Sequence, residues 1–208
     1  MQTQQIWTLS QAQDLLGFMA SSCSGAIWHR AQPDGSAALL DRLLEEIGEF
    51  GQDLTPEQVA PTLKKALPDS FWRDPLGSDW LTDVVELCRV FCQEIGASAC
   101  RVQLHQDRPC VRFHADNVPV RLVCAYRGPG TLWLTEDNLD LVAAETRGTN
   151  NHAIARRVED VRQLHEWEVL VMKGRASNAI PLYHKSPEPR PGDPKSLVLK
   201  LDVISAGG

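Results

Sequence analysis

The sequence predicts an α+β protein with an N-terminal helical layer (residues 1–97) and a C-terminal core (residues 98–208) that is a double-stranded β-helix of the jelly-roll, or cupin-like, type. Helix-start signals and apolar periodicity near 3.6 residues dominate the first half. After Gly96 the chain changes to short runs rich in Val, Leu, Cys and aromatic residues, broken by turn-forming Gly, Pro and Asn. Many short strands that follow a helical layer are typical of a sandwich or jelly roll flanked by helices.

Helices are predicted along the first half of the chain. Three helix starts are signalled, by the capping-box pair Ser10 and Gln13, by Thr55-Pro56-Glu57-Gln58, and by Ser78. An amphipathic run over residues 38–50 predicts a further helix, whereas residues 25–29 resemble a short strand. Between residues 80 and 95 the apolar positions recur at helical spacing, and Gly96 ends this helix.

The strands of the C-terminal half follow in close succession. They are expected at residues 99–105, 110–115, 120–126, 130–134, 167–172, 180–185 and 196–204. A longer insert of mixed polar and helical character, residues 135–166, separates the fourth strand from the fifth. The 208 residues suit one domain with a substantial hydrophobic centre, so a single domain is expected over residues 1–208.

Composition narrows the classes of function. The formal net charge is −6, and 21 Lys and Arg residues are scattered among 27 acidic ones, so the basic face that binds nucleic acid is not expected. No run approaches the roughly 20 apolar residues of a membrane span, and the first residues lack an export signal. We therefore expect a cytoplasmic protein that binds neither nucleic acid nor membrane. Its six cysteines form no C-x-x-C pair, and in a reducing compartment most are expected to be free thiols.

Three residues could hold a metal ion. His114 and Asp116 lie where a strand runs into a turn, and residues two apart in extended chain point to the same face. A strand, a loop and then His184 at the start of the next strand offer a third ligand. Two imidazoles and one carboxylate on one side of a metal form the facial triad of non-haem Fe(II) oxygenases, which leaves positions open for substrate or dioxygen.

Other interpretations of these residues remain open. A second His-x-Asp, His105 and Asp107, is less favoured because Asp107 begins a turn. His152 and His165 are alternative third ligands, although His165 precedes its neighbouring strand instead of following it. A histidine in a strand is also often a hydrogen-bonded structural residue without a metal.

The cysteines offer two further candidates. Cys88 and Cys92 lie one helical turn apart and could bind a soft metal, but both fall on the apolar face of the helix, where core packing is favoured. Cys110 and Cys124 lie on strands that flank His114 and could line the same pocket as a zinc thiolate site. Their spacing gives that interpretation no positive support.

The run FHADNVPVRLVCAYRGPGTLWLTEDN, with LVMKGRASNAIPLYHKSP and the closing SLVLKLD, resembles a bacterial family catalogued as domain of unknown function 1826. Its members are often encoded near metallochaperone GTPases linked to zinc supply, which implies a functional link to metal handling. More distantly, the region is similar to 2-oxoglutarate/Fe(II) dioxygenases, whose His-x-Asp and distal histidine match His114, Asp116 and His184. This likeness implies Fe(II), with Zn(II) as the alternative metal, and 2-oxoglutarate as a co-substrate.

One part of the dioxygenase pattern is missing. Those enzymes place an Arg or Lys about ten residues after the distal histidine, commonly as Arg-x-Ser, to pair with the far carboxylate of 2-oxoglutarate. The nearest match here is Lys195, which is followed directly by Ser196. Arg190 and Arg121 are the other candidates for this cofactor-binding role.

Three functions follow from these patterns. The leading prediction is a metal-dependent, oxygen-using enzyme that acts on an unidentified small molecule, with His114, Asp116 and His184 as its catalytic metal ligands. The alternative is a non-catalytic metal-binding accessory protein in zinc or iron homeostasis, for which a closed four-coordinate site would be expected. The third is a ligand-binding barrel without metal. A dimer is expected if one face of the barrel is exposed.

Overall fold

Two β-sheets form the centre of the molecule. The computed structural model describes residues 6–107, 110–146 and 148–204, so Arg108 and Pro109, which follow Asp107 in the expected turn, lie outside the described residues. The strands are β1 (Ile6–Leu9), β2 (Gly25–Trp28), β3 (Phe50–Leu54), β4 (Cys100–His105), β5 (Val120–Arg127), β6 (Leu132–Trp133), β7 (Arg162–Gln163), β8 (Val169–Lys173), β9 (His184–Lys185) and β10 (Leu197–Asp202).

A large and a small sheet share these strands. The large sheet has seven strands in the order β1-β2-β8-β5-β10-β4-β3, and the small sheet has the order β7-β6-β9. Strands β1 and β2 pair in parallel, and the other pairs are antiparallel. An isolated bridge between His114 and His184 extends the small sheet beyond β9.

Six α-helices surround the sheets in the described part of the chain. They are α1 (Ser36–Glu46), α2 (Pro56–Ala66), α3 (Asp69–Trp72), α4 (Pro75–Ile95), α5 (Leu141–Glu145) and α6 (Asn151–Ile154). Helix α4 is the predicted periodic helix, and it ends at Gly96, which adopts the left-handed conformation with φ of 65°. None of the described helices combines the length and apolar character that crossing a bilayer requires.

The core is layered. The largest hydrophobic cluster lies between one face of the large sheet and helices α1, α2 and α4, with members such as Leu40, Val59, Phe91 and Leu122. A second cluster joins the opposite face of the large sheet to the small sheet; it contains Ile27, Val123, Trp133, Leu164, Leu170, Met172 and Leu182. The two sheets therefore face each other across a thin apolar layer, and the candidate metal ligands lie between the sheets.

The structure corrects several expectations for the first half. The chain is α+β, but a mainly helical N-terminal layer is not confirmed, because β1, β2 and β3 supply three strands of the large sheet. The predicted helix over residues 38–50 ends at Glu46, and Phe50 begins β3. Each of these early strands finds a later partner, since β2 pairs with β8 and β3 pairs with β4. A local pattern contains no information about such distant partners.

Two of the three predicted helix starts are wrong. The capping box at Thr55 and Gln58 is confirmed. Near Ser10, however, the reciprocal pair is Gln11 and Asp14, which cap a short 3₁₀ turn. Ser78 lies inside α4, which begins three residues earlier at Pro75. The side chain of Asp74 caps that helix by accepting a hydrogen bond from the Leu76 N–H at 3.1 Å.

The second half matches the expected strand order with shorter strands. Residues 130–134 contain only the two-residue strand β6, and residues 180–185 contain only β9. The expected strand over residues 110–115 is wrong, because these residues form one isolated bridge at His114 and one further backbone hydrogen bond, from the Ser186 N–H to the Cys110 carbonyl oxygen at 2.7 Å. The insert 135–166 carries short helices and also β7, which completes the small sheet.

Candidate metal centre

The two histidines of the candidate site meet through backbone pairing. His114 N–H donates to the carbonyl oxygen of His184 at 3.0 Å, and His184 N–H donates to that of His114 at 2.9 Å. Residues that exchange both hydrogen bonds in an antiparallel pair lie directly opposite each other, and their side chains share one face. The imidazole centroids are accordingly 4.6 Å apart. A local bridge thus brings together two residues that are distant along the chain.

Asp116 reaches the same face because it follows His114 by two residues in extended chain. The Arg175 N–H donates to the Asp116 carbonyl oxygen at 2.8 Å and fixes the backbone there. Gly174 makes this close approach feasible, because a Cβ atom at that position would lie 2.2 Å from the Val118 carbonyl oxygen and 2.6 Å from that of Asp116. The sequence analysis did not identify this glycine, although its position directly after a buried strand was a usable signal.

The three side chains form a compact cluster of donor atoms. Asp116 Oδ1 lies 3.3 Å from His114 Nε2, and Asp116 Oδ2 lies 3.2 Å from His184 Nε2. One donor atom from each residue lies within 4.8 Å of the other two, and no further His, Cys, Asp or Glu of the described residues joins the group. The side chains of Asp116 and His184 are about nine-tenths buried, whereas that of His114 is 27% exposed. The cluster therefore opens to one side.

Backbone carbonyls set the orientation of both imidazole rings. His114 Nδ1 lies 2.8 Å from the carbonyl oxygen of Arg112, and His184 Nδ1 lies 3.3 Å from that of Leu182. A carbonyl oxygen only accepts, so each neutral ring donates from Nδ1 and keeps its lone pair on Nε2. This is the arrangement by which proteins orient histidine as a metal ligand.

The donor set fits a divalent cation. Asp116 Oδ2 is buried and finds no partner with hydrogen-bond geometry among the described residues. Arg121 Nη1 lies 2.5 Å and His184 Nε2 lies 3.2 Å from this oxygen. These contacts have the distance of an ion pair but not the angles of a hydrogen bond. Two imidazole lone pairs that face a carboxylate repel it unless a proton or a metal ion lies between them.

The close approach of these groups shifts the pKa values of Asp116 and His114. Burial alone would raise the pKa of Asp116, but contacts with His114 and His184 and the charge of Arg121 outweigh burial and hold that pKa well below its usual value. The Asp116 carboxylate also raises the pKa of His114 above its usual value, against the opposing effect of burial. The raised pKa of His114 favours a proton on this imidazole beside the Asp116 carboxylate.

A buried arginine lies behind the carboxylate. Arg121 on β5 contacts Asp116 through Nη1, and Asp202 on β10 accepts hydrogen bonds from its Nε at 2.6 Å and its Nη2 at 2.9 Å. Asp202 is directly opposite Arg121 in the large sheet. This bidentate pair holds the guanidinium in place. Two carboxylates already neutralise Arg121, which therefore has little capacity to bind a further anion.

A cavity of about 140 Å³ lies beside the cluster. Both histidines line it, together with Arg121 and with Lys200 of β10. Lys200 Nζ is 3.9 Å from Asp202 Oδ2, at the limit of an ion pair. Burial lowers the pKa of Lys200, and the charge of Arg121 lowers it further. His105 also lines the cavity, and its buried Nε2 has no hydrogen-bond partner among the described residues.

The other predicted cofactor-binding residues lie elsewhere. Lys195 is exposed and lines neither this cavity nor its larger neighbour of about 540 Å³. Arg190 is exposed and lines the larger cavity. Sequence reasoning missed Lys200 and Asp202, although the alternation in SLVLKLD was a signal for both, because leucines occupy one face of that strand and Lys200 and Asp202 the other.

The alternative ligands do not join the cluster. His152 lines the larger cavity, and the side chain of His165 is 87% exposed. Cys110 is exposed and lines the smaller cavity, whereas Cys124 is fully buried and contacts Arg30 and the Trp167 carbonyl oxygen. The two cysteines therefore do not form the zinc thiolate site considered for them.

Fold and site together define an α+β protein in which two facing sheets bring two imidazoles and one carboxylate together beside a small cavity. The chain belongs to the family described as "Protein of unknown function (DUF1826)", whose model matches residues 10–202. No curated protein sequence matches the chain.

Several solved structures resemble the chain at low identity. They include a bsmA homolog from Methylobium petroleophilum (13% identity, 96% of this chain and 95% of that chain, TM-score 0.44). A dioxygenase for auxin oxidation from Arabidopsis thaliana, in complex with 2-oxoglutarate, shares 7% identity (96% and 91%, TM-score 0.41). The non-heme alpha ketoglutarate dependent epimerase SnoN from nogalamycin biosynthesis shares 10% (92% and 83%, TM-score 0.44). At TM-scores below 0.5, these similarities by themselves define neither the fold nor the activity of this chain.

Proposed function

We propose that this protein is a non-haem Fe(II) oxygenase of the double-stranded β-helix type, with His114, Asp116 and His184 as metal ligands and 2-oxoglutarate as co-substrate. The observation that carries the proposal is the convergence of two Nε2 lone pairs and one carboxylate in a cluster that opens to one side. The two facing sheets support the jelly-roll topology, because His184 lies on the small sheet, His114 lies on its adjoining bridge, and Asp116 contacts Arg121 of the large sheet.

The number of ligands favours a catalytic metal over a structural one. A structural zinc site is closed by four protein ligands, whereas this cluster offers three among the described residues. Two imidazoles and one carboxylate with free positions suit Fe(II) in oxygenases. When bound, Fe(II) supplies the redox chemistry that activates dioxygen.

The protein's own residues bind and orient around that ion. The carbonyl oxygens of Arg112 and Leu182 hold the two rings with Nε2 toward the metal position. The contacts with His114 and His184, together with the charge of Arg121, hold the pKa of Asp116 low, so that its carboxylate is ionised and ready to act as a ligand. The small cavity admits a co-substrate of a few carbon atoms and limits the water that reaches the site.

Lys200 receives the far carboxylate of the co-substrate. It lines the cavity with both histidines, and its partner Asp202 is already engaged by Arg121. An ammonium group that is partly desolvated and weakly paired gains from a carboxylate brought within reach. Lys195, the candidate from sequence spacing, is exposed outside the cavity. Lys200 was not among the candidates from residue spacing, because spacing does not predict which residue after the long loop between β9 and β10 reaches the cavity.

An anaerobic titration tests this assignment. Metal-stripped protein is loaded with Fe(II), and 2-oxoglutarate is added while the weak visible charge-transfer band is recorded. We expect the band in the wild type and in Lys195→Gln, the matched control. Lys200→Gln should require at least about 10-fold more 2-oxoglutarate, because it loses one charge-assisted contact of roughly 1.5–3 kcal/mol.

The outcomes separate the functions that the sequence left open. A band that is absent from His114→Ala and retained in the exposed control His165→Ala supports the oxygenase. Tight zinc with no response to 2-oxoglutarate contradicts the oxygenase and supports the metal-binding accessory protein. Protein that binds neither ion at this cluster leaves only a ligand-binding barrel.

A further inference from the structure

A second cluster of potential metal ligands lies on the other side of the large sheet. Cys88 and Cys92 are one turn apart on α4, and Cys100 is the first residue of β4. Gly96 ends the helix in the left-handed conformation and turns the chain back, so that β4 begins beside the last turns of α4. A short local sequence, C-x₃-C-x₇-C, thereby brings three thiols to one point.

The three sulfur atoms are spaced for a shared ion. All three Sγ atoms lie within 4.8 Å of one another, and Cys88 Sγ is 3.3 Å from Cys100 Sγ. An ion about 2.3 Å from three sulfurs in a plane requires them to be about 4.0 Å apart. Side-chain rotations that move each sulfur by less than about 1 Å meet that requirement.

Core packing alone does not require this convergence. All three cysteines are at most 3% exposed and lie in the main hydrophobic cluster, where a thiol behaves as a small apolar group. Cys124 is equally buried but does not belong to this cluster, and Arg30 and the Trp167 carbonyl oxygen are polar contacts of its thiol. Three thiols in mutual reach, by contrast, form a soft ligand set.

We propose that Cys88, Cys92 and Cys100 bind one Cu(I) ion in a buried three-sulfur site. Soft thiolates select Cu(I) and zinc among the available metals. Zinc almost always takes four ligands in a protein site, and no fourth His, Cys, Asp or Glu of the described chain joins this cluster. A three-sulfur set therefore suits Cu(I), which accepts low coordination numbers.

Binding needs no redox partner. Cu(I) enters as the reduced ion, each thiol that becomes a thiolate ligand releases one proton to solvent, and no electron is transferred. The last turn of α4 must open locally to admit the ion, because the sulfurs are buried. The site is separate from the His114 cluster and does not depend on the oxygenase assignment.

Competition against a chromogenic Cu(I) chelator under anaerobic conditions tests the site. The background is the variant His114→Ala/His184→Ala, so that the first cluster cannot contribute. We expect one Cu(I) per chain, an ultraviolet thiolate-to-copper absorption band and a higher Tm with Cu(I) bound. Cys100→Ser should weaken Cu(I) binding by at least about 100-fold, more than the roughly 10–100-fold typical of a residue that only supports a ligand.

The controls separate metal binding from packing. Cys124→Ser introduces the same buried hydroxyl away from the cluster and should leave Cu(I) binding unchanged. If Cys100→Ser does not fold, Cys92→Ser at the more accessible end of the cluster replaces it. The proposal is overturned if Cu(I) binds equally well to the cluster variants, if Zn(II) occupies these thiols in preference to Cu(I), or if the thiols only form a disulfide under peroxide and take up no metal.

Discussion

The substitution Asp202→Asn tests how the buried charges support the candidate metal site. Asp202 accepts two hydrogen bonds from Arg121, and both side chains are more than four-fifths buried. Asparagine keeps the shape and one acceptor oxygen, but it loses the charge and places an amide N–H group against the guanidinium. Arg121 retains its contact with Asp116.

The expected cost follows from these contacts. Removing one partner of a buried ion pair destabilises by about 3–5 kcal/mol, and retention of Asp116 and of one hydrogen bond reduces that figure to about 2–3 kcal/mol. For a chain of this size, a loss of that magnitude lowers Tm by roughly 5–10 °C. Arg121 should also draw closer to Asp116 and compete with the metal, which weakens metal binding by about 10- to 100-fold.

Asp53→Asn is the matched control. Asp53 pairs with Arg101 on the same sheet at 3.1 Å, but both side chains are about half exposed, so the pair is worth at most about 1 kcal/mol. The assays are urea unfolding of metal-free protein and metal competition with a chelator. If Asp202→Asn proves as mild as Asp53→Asn, or if it leaves metal affinity unchanged, Arg121 does not support the site as described.

Two further predictions concern the backbone and the protonation of the site. Gly174→Ala should lower both Tm and metal affinity, because the added Cβ would collide with the carbonyl oxygens of Val118 and Asp116. Unchanged metal affinity would show that the close packing of Gly174 against these carbonyls does not position Asp116. In metal-free protein, the pKa of His114 is raised by its pairing with Asp116. This pairing stabilises the folded state fully below about pH 6.5, and the stabilisation is lost as pH rises through the raised pKa. The difference in unfolding free energy between wild type and His114→Gln should therefore shrink as pH rises above about 6.5 in chelator-treated samples, and a constant difference would contradict the pairing.

The sequence predicted the elements that depend on interactions between residues close along the chain. The apolar spacing of α4, the Gly96 cap and the capping box at Thr55 are all present in the structure. The strands β1 and β3 lacked such signals, because their stability comes from pairing with β2 and with the distant β4. Edge strands of this kind are defined by pairing and not by composition.

The candidate site likewise combines features that nearby residues predict with features that depend on distant pairing. Alternation along extended chain correctly suggested that His114 and Asp116 share a face, and the structure brings His184 to them through one backbone bridge. The surrounding residues were harder to predict. Lys200 and Asp202 are near the end of the chain, and their role depends on the register between β10 and β5, which no short motif encodes.

The most direct measurement of the central claim is the position of a bound metal in crystals of protein loaded anaerobically with Fe(II), located by anomalous scattering at the iron absorption edge. We predict one ion about 2–2.2 Å from the Nε2 atoms of His114 and His184 and from a carboxylate oxygen of Asp116. Iron at full occupancy in any other position would contradict the account. So would crystals that take up no iron and in which Asp116 still pairs with Arg121.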